Sequence, residues 1–122
     1  MRFLIVDDSS TMRRIIINTL TKLGYQHFVE AGNGREGLER LAAAPVDLII
    51  TDWNMPEMNG IDFVRQLRTT TNGRVVPVLM VTTNAANADV AEALKAGVNN
   101  YVVKPFTADT LKEKINAVSS HA

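Results

Sequence analysis

The stretch Phe3-Leu4-Ile5-Val6-Asp7-Asp8 decides how this chain is read: four apolar residues run without interruption into two adjacent carboxylates. A short, continuous apolar run fits a strand covered on both faces, as in a parallel sheet. The same grammar returns twice. Leu48-Ile49-Ile50-Thr51 ends in Asp52, and Tyr101-Val102-Val103 ends in Lys104-Pro105. Apolar strands that all finish in charge load one edge of a sheet with three carboxylates and one ammonium. Carboxylates about 4 Å apart repel by roughly 4 kcal/mol at an effective dielectric of 20, so such a cluster calls for a cation. A divalent metal beside Lys104 would make it tolerable. The chemistry implied is an acidic, metal-dependent site for handling phosphate groups.

Composition sets the outer bounds. At 122 residues the chain is long enough for one core and too short for two, so residues 1–122 are expected to form a single domain. Hydrophobic content of 46% with 21% charge describes an ordinary globular protein without a disorder signature. Thirteen basic and thirteen acidic residues cancel, so no field draws the chain to nucleic acid or to a membrane surface. The absence of cysteine excludes a disulfide framework, zinc–thiolate sites and thiol catalysis. No apolar run approaches the ~20 residues of a membrane span. The first residues enter a strand directly, without a signal-peptide pattern. A cytoplasmic monomer is expected.

Short apolar runs alternate with helical patterns, which points to βαβ units. The first helix is expected to start at Ser9 or Ser10, with Met12, Ile15, Ile16, Thr19, Leu20 and Leu23 inward and Gly24 at its end. A more polar strand follows at about Gln26–Ala31, then a helix from Asn33 to Ala43 that buries Leu38, Leu41 and Ala42 before Pro45. Val46 to Asp52 is the third strand. The loop 53–60 leads to a helix with Ile61, Val64 and Leu67 inward. Val78 to Thr82, an alanine-rich helix from Asn87 to Ala96, and Asn100 to Val103 come next. In the last helix Thr107 caps, Asp109 sits in the first turn, Phe106 staples onto Leu111, and Ile115 and Val118 continue the stripe.

Strand polarity suggests strand order. Runs one, three and four are almost wholly apolar, whereas run two carries Gln26, His27 and Glu30, and run five is short and preceded by Asn99, so both suit edges. Right-handed crossovers then favour an α/β fold: a doubly wound, five-stranded parallel sheet of order 2-1-3-4-5 with helices on both faces. The topological switch point falls between strands one and three, where Asp8 and Asp52 end, and ligands bind at such crevices.

The segments Val6-Asp7-Asp8, Asp52-Trp53-Asn54-Met55-Pro56, Gly60, Val81-Thr82 and Tyr101-Val102-Val103-Lys104-Pro105-Phe106 together resemble a response-regulator receiver domain, and within that family its chemotaxis members. The likeness covers essentially the whole chain, with the motifs in order at the strand ends. Chemotaxis receivers are themselves a standard example of this flavodoxin-like strand order, so the order is not independent support for the resemblance.

The resemblance implies a role for each site residue. Asp52 would be the phosphoacceptor, a carboxylate nucleophile that forms an aspartyl phosphate; standing alone, it reads as well as a cap of the 53–60 turn. Mg²⁺ would be the cofactor, bound directly by Asp8, Asp52 and the main-chain carbonyl of Asn54 and through water by Asp7. Without metal, mutual repulsion should raise the pKa of at least one carboxylate. Lys104 would pair with Asp52 and then with phosphoryl oxygens, and a cis Lys104–Pro105 bond would aim it. Thr82 would donate its hydroxyl to the phosphoryl group while Tyr101 swings inward; spacing alone leaves these as a strand-end threonine and a half-buried edge tyrosine.

The fourth helix, with Ala85, Ala86, Ala88, Ala91, Ala93 and Ala96 and only Val90 and Leu94 as larger apolar anchors, reads either as weakly anchored and able to shift or as an ordinary good helix. Ser9 stands where a Phe is familiar in chemotaxis receivers, and Asn84 where a Glu is familiar. Asn54 and Asn84 would flank the path of an attacking water and set the lifetime of the phosphorylated form.

The expected partners are a histidine kinase, a phosphatase and a protein target, the flagellar motor switch first. No DNA-binding segment is expected after Ala122, so output by protein contact is expected, and the expected class is a phosphoacceptor rather than a turnover enzyme. A phosphorelay intermediate or a receiver cut from a larger regulator is the alternative output. Of other classes, a flavodoxin-like carrier needs a phosphate-holding loop where Asp7-Asp8 would repel the phosphate. An Asp-nucleophile phosphatase wants Asp-x-Asp rather than adjacent aspartates. Neither His27 in its edge strand nor His121 in the tail suits an internal phosphoryl donor.

Overall fold

Phe3, Leu4, Ile5 and Val6 are all fully buried. They alternate between two cores, as side chains on successive strand residues must. In the computed structural model, which describes residues 1–83 and 87–119, this strand is β1 (Arg2–Val6). It is followed by α1 (Ser10–Lys22), β2 (His27–Ala31), α2 (Gly34–Ala43), β3 (Leu48–Asp52), α3 (Gly60–Leu67), β4 (Val78–Thr82), α4 (Asn87–Ala96), β5 (Asn100–Val103) and α5 (Ala108–Ser119). All strand pairs are parallel, in the order β2-β1-β3-β4-β5. The doubly wound order expected from strand polarity is the order found.

One face of the sheet presents Phe3, Ile5, Leu48, Ile50, Leu79, Val81 and Val102 to Ile16 and Leu20 of α1 and Leu111, Ile115 and Val118 of α5. The other face presents Leu4, Val6, Ile49, Val78 and Met80 to Leu41 of α2, to Ile61, Phe63, Val64 and Leu67 of α3, and to Ala93 of α4. Helix starts follow local chemistry. The Ser9 hydroxyl accepts from the Met12 amide at 3.2 Å, the Asn33 side chain from Glu36 at 2.8 Å and the Asn59 side chain from Asp62 at 2.9 Å. Thr107 caps α5 by accepting from Thr110 at 3.1 Å, and Phe106 packs in the same core as Leu111.

Several packing expectations are corrected. Ile15 is 46% exposed rather than inward; it lies about 100° around the helix from Ile16, off the stripe that Ile16 and Leu20 press into the sheet. Ala42 is exposed, because α2 turns Leu41 inward instead. Leu94 is 50% exposed and anchors nothing. Gln26 and Val46 stand just outside β2 and β3, Val46 packing at the rim of the core. Asn84, Ala85, Ala86 and His121 lie outside the described residues, as does the side chain of Ala88. Among the described residues no helix is long and apolar enough to cross a membrane.

Candidate functional site

The register of the sheet sets the site. Asp52 is the last residue of β3, beside Val81 of β4; Thr82 ends β4, beside Val103 of β5. Asp7 and Asp8 follow β1, and the Asp7 amide still donates to the Ala31 carbonyl at 3.1 Å, which extends the β1–β2 pairing past the strand. The Lys104 amide donates to the Thr82 carbonyl at 2.7 Å, tying the exit of β5 to that of β4. The Lys104–Pro105 bond is cis. The carboxyl ends of the strands thus meet at one edge, on the switch point between β1 and β3.

The three carboxylates converge. Ligand oxygens of Asp7, Asp8 and Asp52 all lie within 4.8 Å of one another, with Asp7 buried, Asp52 partly buried and Asp8 exposed. Lys104 Nζ stands 3.3 Å from Asp52 Oδ1 and 3.9 Å from Asp7 Oδ2. Asp52 Oδ1 also accepts from the Trp53 amide at 2.8 Å. The cluster is therefore closed below by Asp7 and open to solvent at Asp8, where a ligand can enter.

Asp7 carries the strain of this arrangement. Its Oδ1 accepts from the Ser9 amide at 2.9 Å, but its Oδ2 is buried without a hydrogen-bond partner. Burial pushes its carboxyl up to about 6; the Ser9 amide works against this, the Asp52 charge adds to it, Lys104 opposes and Asp8 adds a little. A buried carboxylate oxygen that makes no hydrogen bond, with the Lys104 ammonium no nearer than 3.9 Å and two further carboxylates beside it, fits a hard oxygen-seeking divalent cation such as Mg²⁺. Asn54 sits exposed in the loop after β3, and Thr82 is buried at the end of β4. Tyr101 is half-buried at the edge strand, where Lys114 Nζ lies 5.3 Å from its ring centroid.

Sequence reasoning missed Arg13. Its guanidinium donates to the Asp7 main-chain carbonyl and, at 3.0 Å, to Glu30, bracing the acidic loop from α1 and β2. In the pair Arg13-Arg14 nothing local distinguishes the buttress from a solvated neighbour. The partners of Arg13 lie six and 17 residues away, outside the i±4 reach of its own helix.

A family profile described as the response regulator receiver domain matches residues 3–116. The chain belongs to the response-regulator receiver family. Among relatives of this receiver, the chemotaxis protein CheY1 of Helicobacter pylori is 56% identical over 119 residues, 97% of this chain and 96% of that protein. CheY of Pseudomonas aeruginosa is 52% identical over 118 residues, 97% of this chain and 95% of that one. Of solved structures, CheY4 of Vibrio cholerae aligns with a TM-score of 0.90 at 36% identity, covering 96% of this chain and 97% of that chain. The receiver domain of a Pseudomonas aeruginosa sensor histidine kinase, with a magnesium ion coordinated in its active-site cleft, aligns with a TM-score of 0.88 at 28% identity, covering 98% and 97%. This receiver is a CheY-like response regulator, homologous to chemotaxis regulators, and its family is not a classical enzyme family. The flavodoxin and phosphatase alternatives give way to that membership.

Proposed function

We propose that residues 1–122 form a single, monomeric receiver that takes a phosphoryl group from a histidine kinase onto Asp52 and signals through a protein partner in the cytoplasm. The observation that carries this reading is the convergence of Asp7, Asp8 and Asp52 within 4.8 Å, with Lys104 3.3 Å from Asp52. In the transfer, an Asp52 carboxylate oxygen attacks the phosphorus of a phosphohistidine. The O–P bond forms as the N–P bond breaks, and the imidazole leaves with the electron pair. Asp7, Asp8, Asp52 and the Asn54 carbonyl would hold Mg²⁺, which when bound supplies charge for the phosphoryl oxygens and lifts the mutual repulsion of the carboxylates. Lys104 gives up Asp52 for a phosphoryl oxygen, acting as a mobile point charge. Thr82 offers its hydroxyl from the end of β4, and Tyr101 repacks behind it. Discharge is the attack of water on phosphorus, which returns Asp52 and releases phosphate.

A phosphoryl group adds charge and acceptor oxygens at a strand end, the class of event that biases a two-state fold. Moving such an equilibrium from 1:99 to 99:1 takes about 5.5 kcal/mol of differential interaction, within reach of several charge-assisted bonds. The CheY names of the relatives support the flagellar motor switch as the protein target, with a phosphatase as a further partner. Incubation with a small acyl phosphate tests the reading by intact mass. One phosphoryl group should be gained with Mg²⁺, and none without Mg²⁺ or in Asp52→Asn. Uptake that persists in Asp52→Asn would overturn it.

A further inference from the structure

Arg68, the residue that ends α3, carries a charge that the acidic site does not use. Its guanidinium is partly buried, which pulls its pKa below the ordinary arginine value, and among the described residues no carboxylate pairs with it. It donates to main-chain and amide oxygens instead. Nη1 reaches the carbonyls of Gly73 at 2.9 Å and Val76 at 2.6 Å; Nη2 reaches the Gly97 carbonyl at 2.6 Å and Asn99 Oδ1 at 3.0 Å. Asn99 Oδ1 in turn accepts from the Val78 amide at 2.8 Å. One planar fork thus binds the end of α4 to the end of α3 and to the entry of β4. A lysine, a single point of donors, could not span those oxygens.

The same end of α4 is fixed twice more. The Gly97 amide donates to Leu94 at 3.1 Å and the Val98 amide to Ala93 at 3.1 Å, the paired bonds of a Schellman turn. Gly97 adopts φ +111, a region that glycine enters without cost, and a Cβ there would stand 2.9 Å from Arg68 Nε. Ala93 and Val98 are buried in the core, whereas Leu94 is exposed. Beyond these, Val90 is only half-buried. Among the described residues, the buried and hydrogen-bonded attachments of α4 therefore lie at the end remote from Thr82, with an exposed Arg65–Glu92 ion pair at 3.6 Å as a further tie to α3.

We propose that Arg68 is the fixed pivot of α4: its fork holds the Gly97 end against α3 and β4, so that a change arriving at Thr82 displaces the helix at its β4 end alone. The displacement rests on the phosphoryl-switch reading; the pivot does not. Arg68 is on this view a positioning residue, remote from the reacting atoms.

Hydrogen–deuterium exchange on the full chain, wild type and Arg68→Met, tests both parts, with Mg²⁺ and with or without beryllium fluoride as a phosphoryl mimic. Without the mimic, amides 95–98 should exchange at least tenfold faster in Arg68→Met, while those of β1, β3 and β4 stay within twofold. Arg68→Lys should restore less than half of that protection. With the mimic, wild type should change at the β4 end of α4 and leave 95–98 within twofold; in Arg68→Met the change should run through to Gly97. Unaltered protection of 95–98 in both variants, or a wild-type response as large at 95–98 as at the β4 end, would overturn the pivot. If Arg68→Met loses protection throughout the sheet, the wild-type pattern and Arg68→Lys decide. If the mimic changes no amide anywhere, the phosphoryl-switch reading fails, and the comparison without mimic still decides the pivot.

Discussion

Asp7 is 1% exposed, and one of its oxygens has no hydrogen-bond donor. Its carboxyl is pushed up from 3.8 to about 6, so between those pH values the folded chain holds a proton that the unfolded chain has released. Stability then falls as pH rises through that window, because the unfolded state binds fewer protons there. The loss in metal-free buffer at pH 7 is about 3 kcal/mol at most, and it is absent below the unfolded pKa. Asp7→Asn keeps the acceptor for the Ser9 amide and removes the charge, so without Mg²⁺ at pH 7 it should unfold at higher urea than wild type. Its stability should also vary less between pH 4 and pH 7. The same variant should bind Mg²⁺ more weakly, read from the fluorescence of Trp53, the single tryptophan, which adjoins Asp52. A variant less stable than wild type in metal-free buffer would contradict this account of the buried carboxylate.

At the scale of elements, the start of α3 is built against the back of Asp52. The Gly60 amide donates to the Trp53 carbonyl at 2.8 Å, and a Cβ on Gly60 would collide with the Asp52 carbonyl and crowd Met80. Gly60→Ala should therefore displace the end of β3 and cut the rate of Mg²⁺-dependent phosphoryl uptake from an acyl phosphate by tenfold or more. Asn59→Ala, one residue away, removes only the helix cap. It should cost about 1 kcal/mol of stability and leave the rate within about twofold. Equal rate losses in the two variants would mean that the helix, not the close approach, sets the geometry of Asp52.

For the whole molecule, the two cores lie on opposite faces of the sheet, and the larger depends on Phe63. This ring is fully buried, and its edge lies where a side chain on Gly37 of α2 would otherwise be, so it is a close contact by which α2 and α3, together with Leu41, Val64 and Leu67, close over β1 and β3. Phe63→Ala should cost about 3–5 kcal/mol in urea unfolding, the range for an aromatic cavity that cannot collapse. A cost under about 1 kcal/mol would mean that α3 re-seats without it. Sequence reasoning placed Ile61, Val64 and Leu67 inward and passed over Phe63, because a helix eight residues long is too short for periodicity to show how wide its buried face is.

By itself the sequence determined the strands, their order and the convergence of charge. Uninterrupted apolar runs that end in Asp7-Asp8, Asp52 and Lys104 leave a parallel sheet few ways to bury them, and strand polarity separates edge from centre. The caps Ser9 and Thr107 were legible because their partners lie three residues away, whereas the cap at Asn59, inside the loop 53–60, was passed over. What only tertiary structure decided are the contacts between residues distant in sequence. These are Arg13 bridging to Glu30 and Arg68 holding Gly97, and with such contacts come the exposure of Ile15 and Leu94 and which of three similar carboxylates is desolvated. Pattern reports which face of an element is apolar. The depth to which a charge is buried, and what it faces, depend on neighbours that the chain brings in from elsewhere.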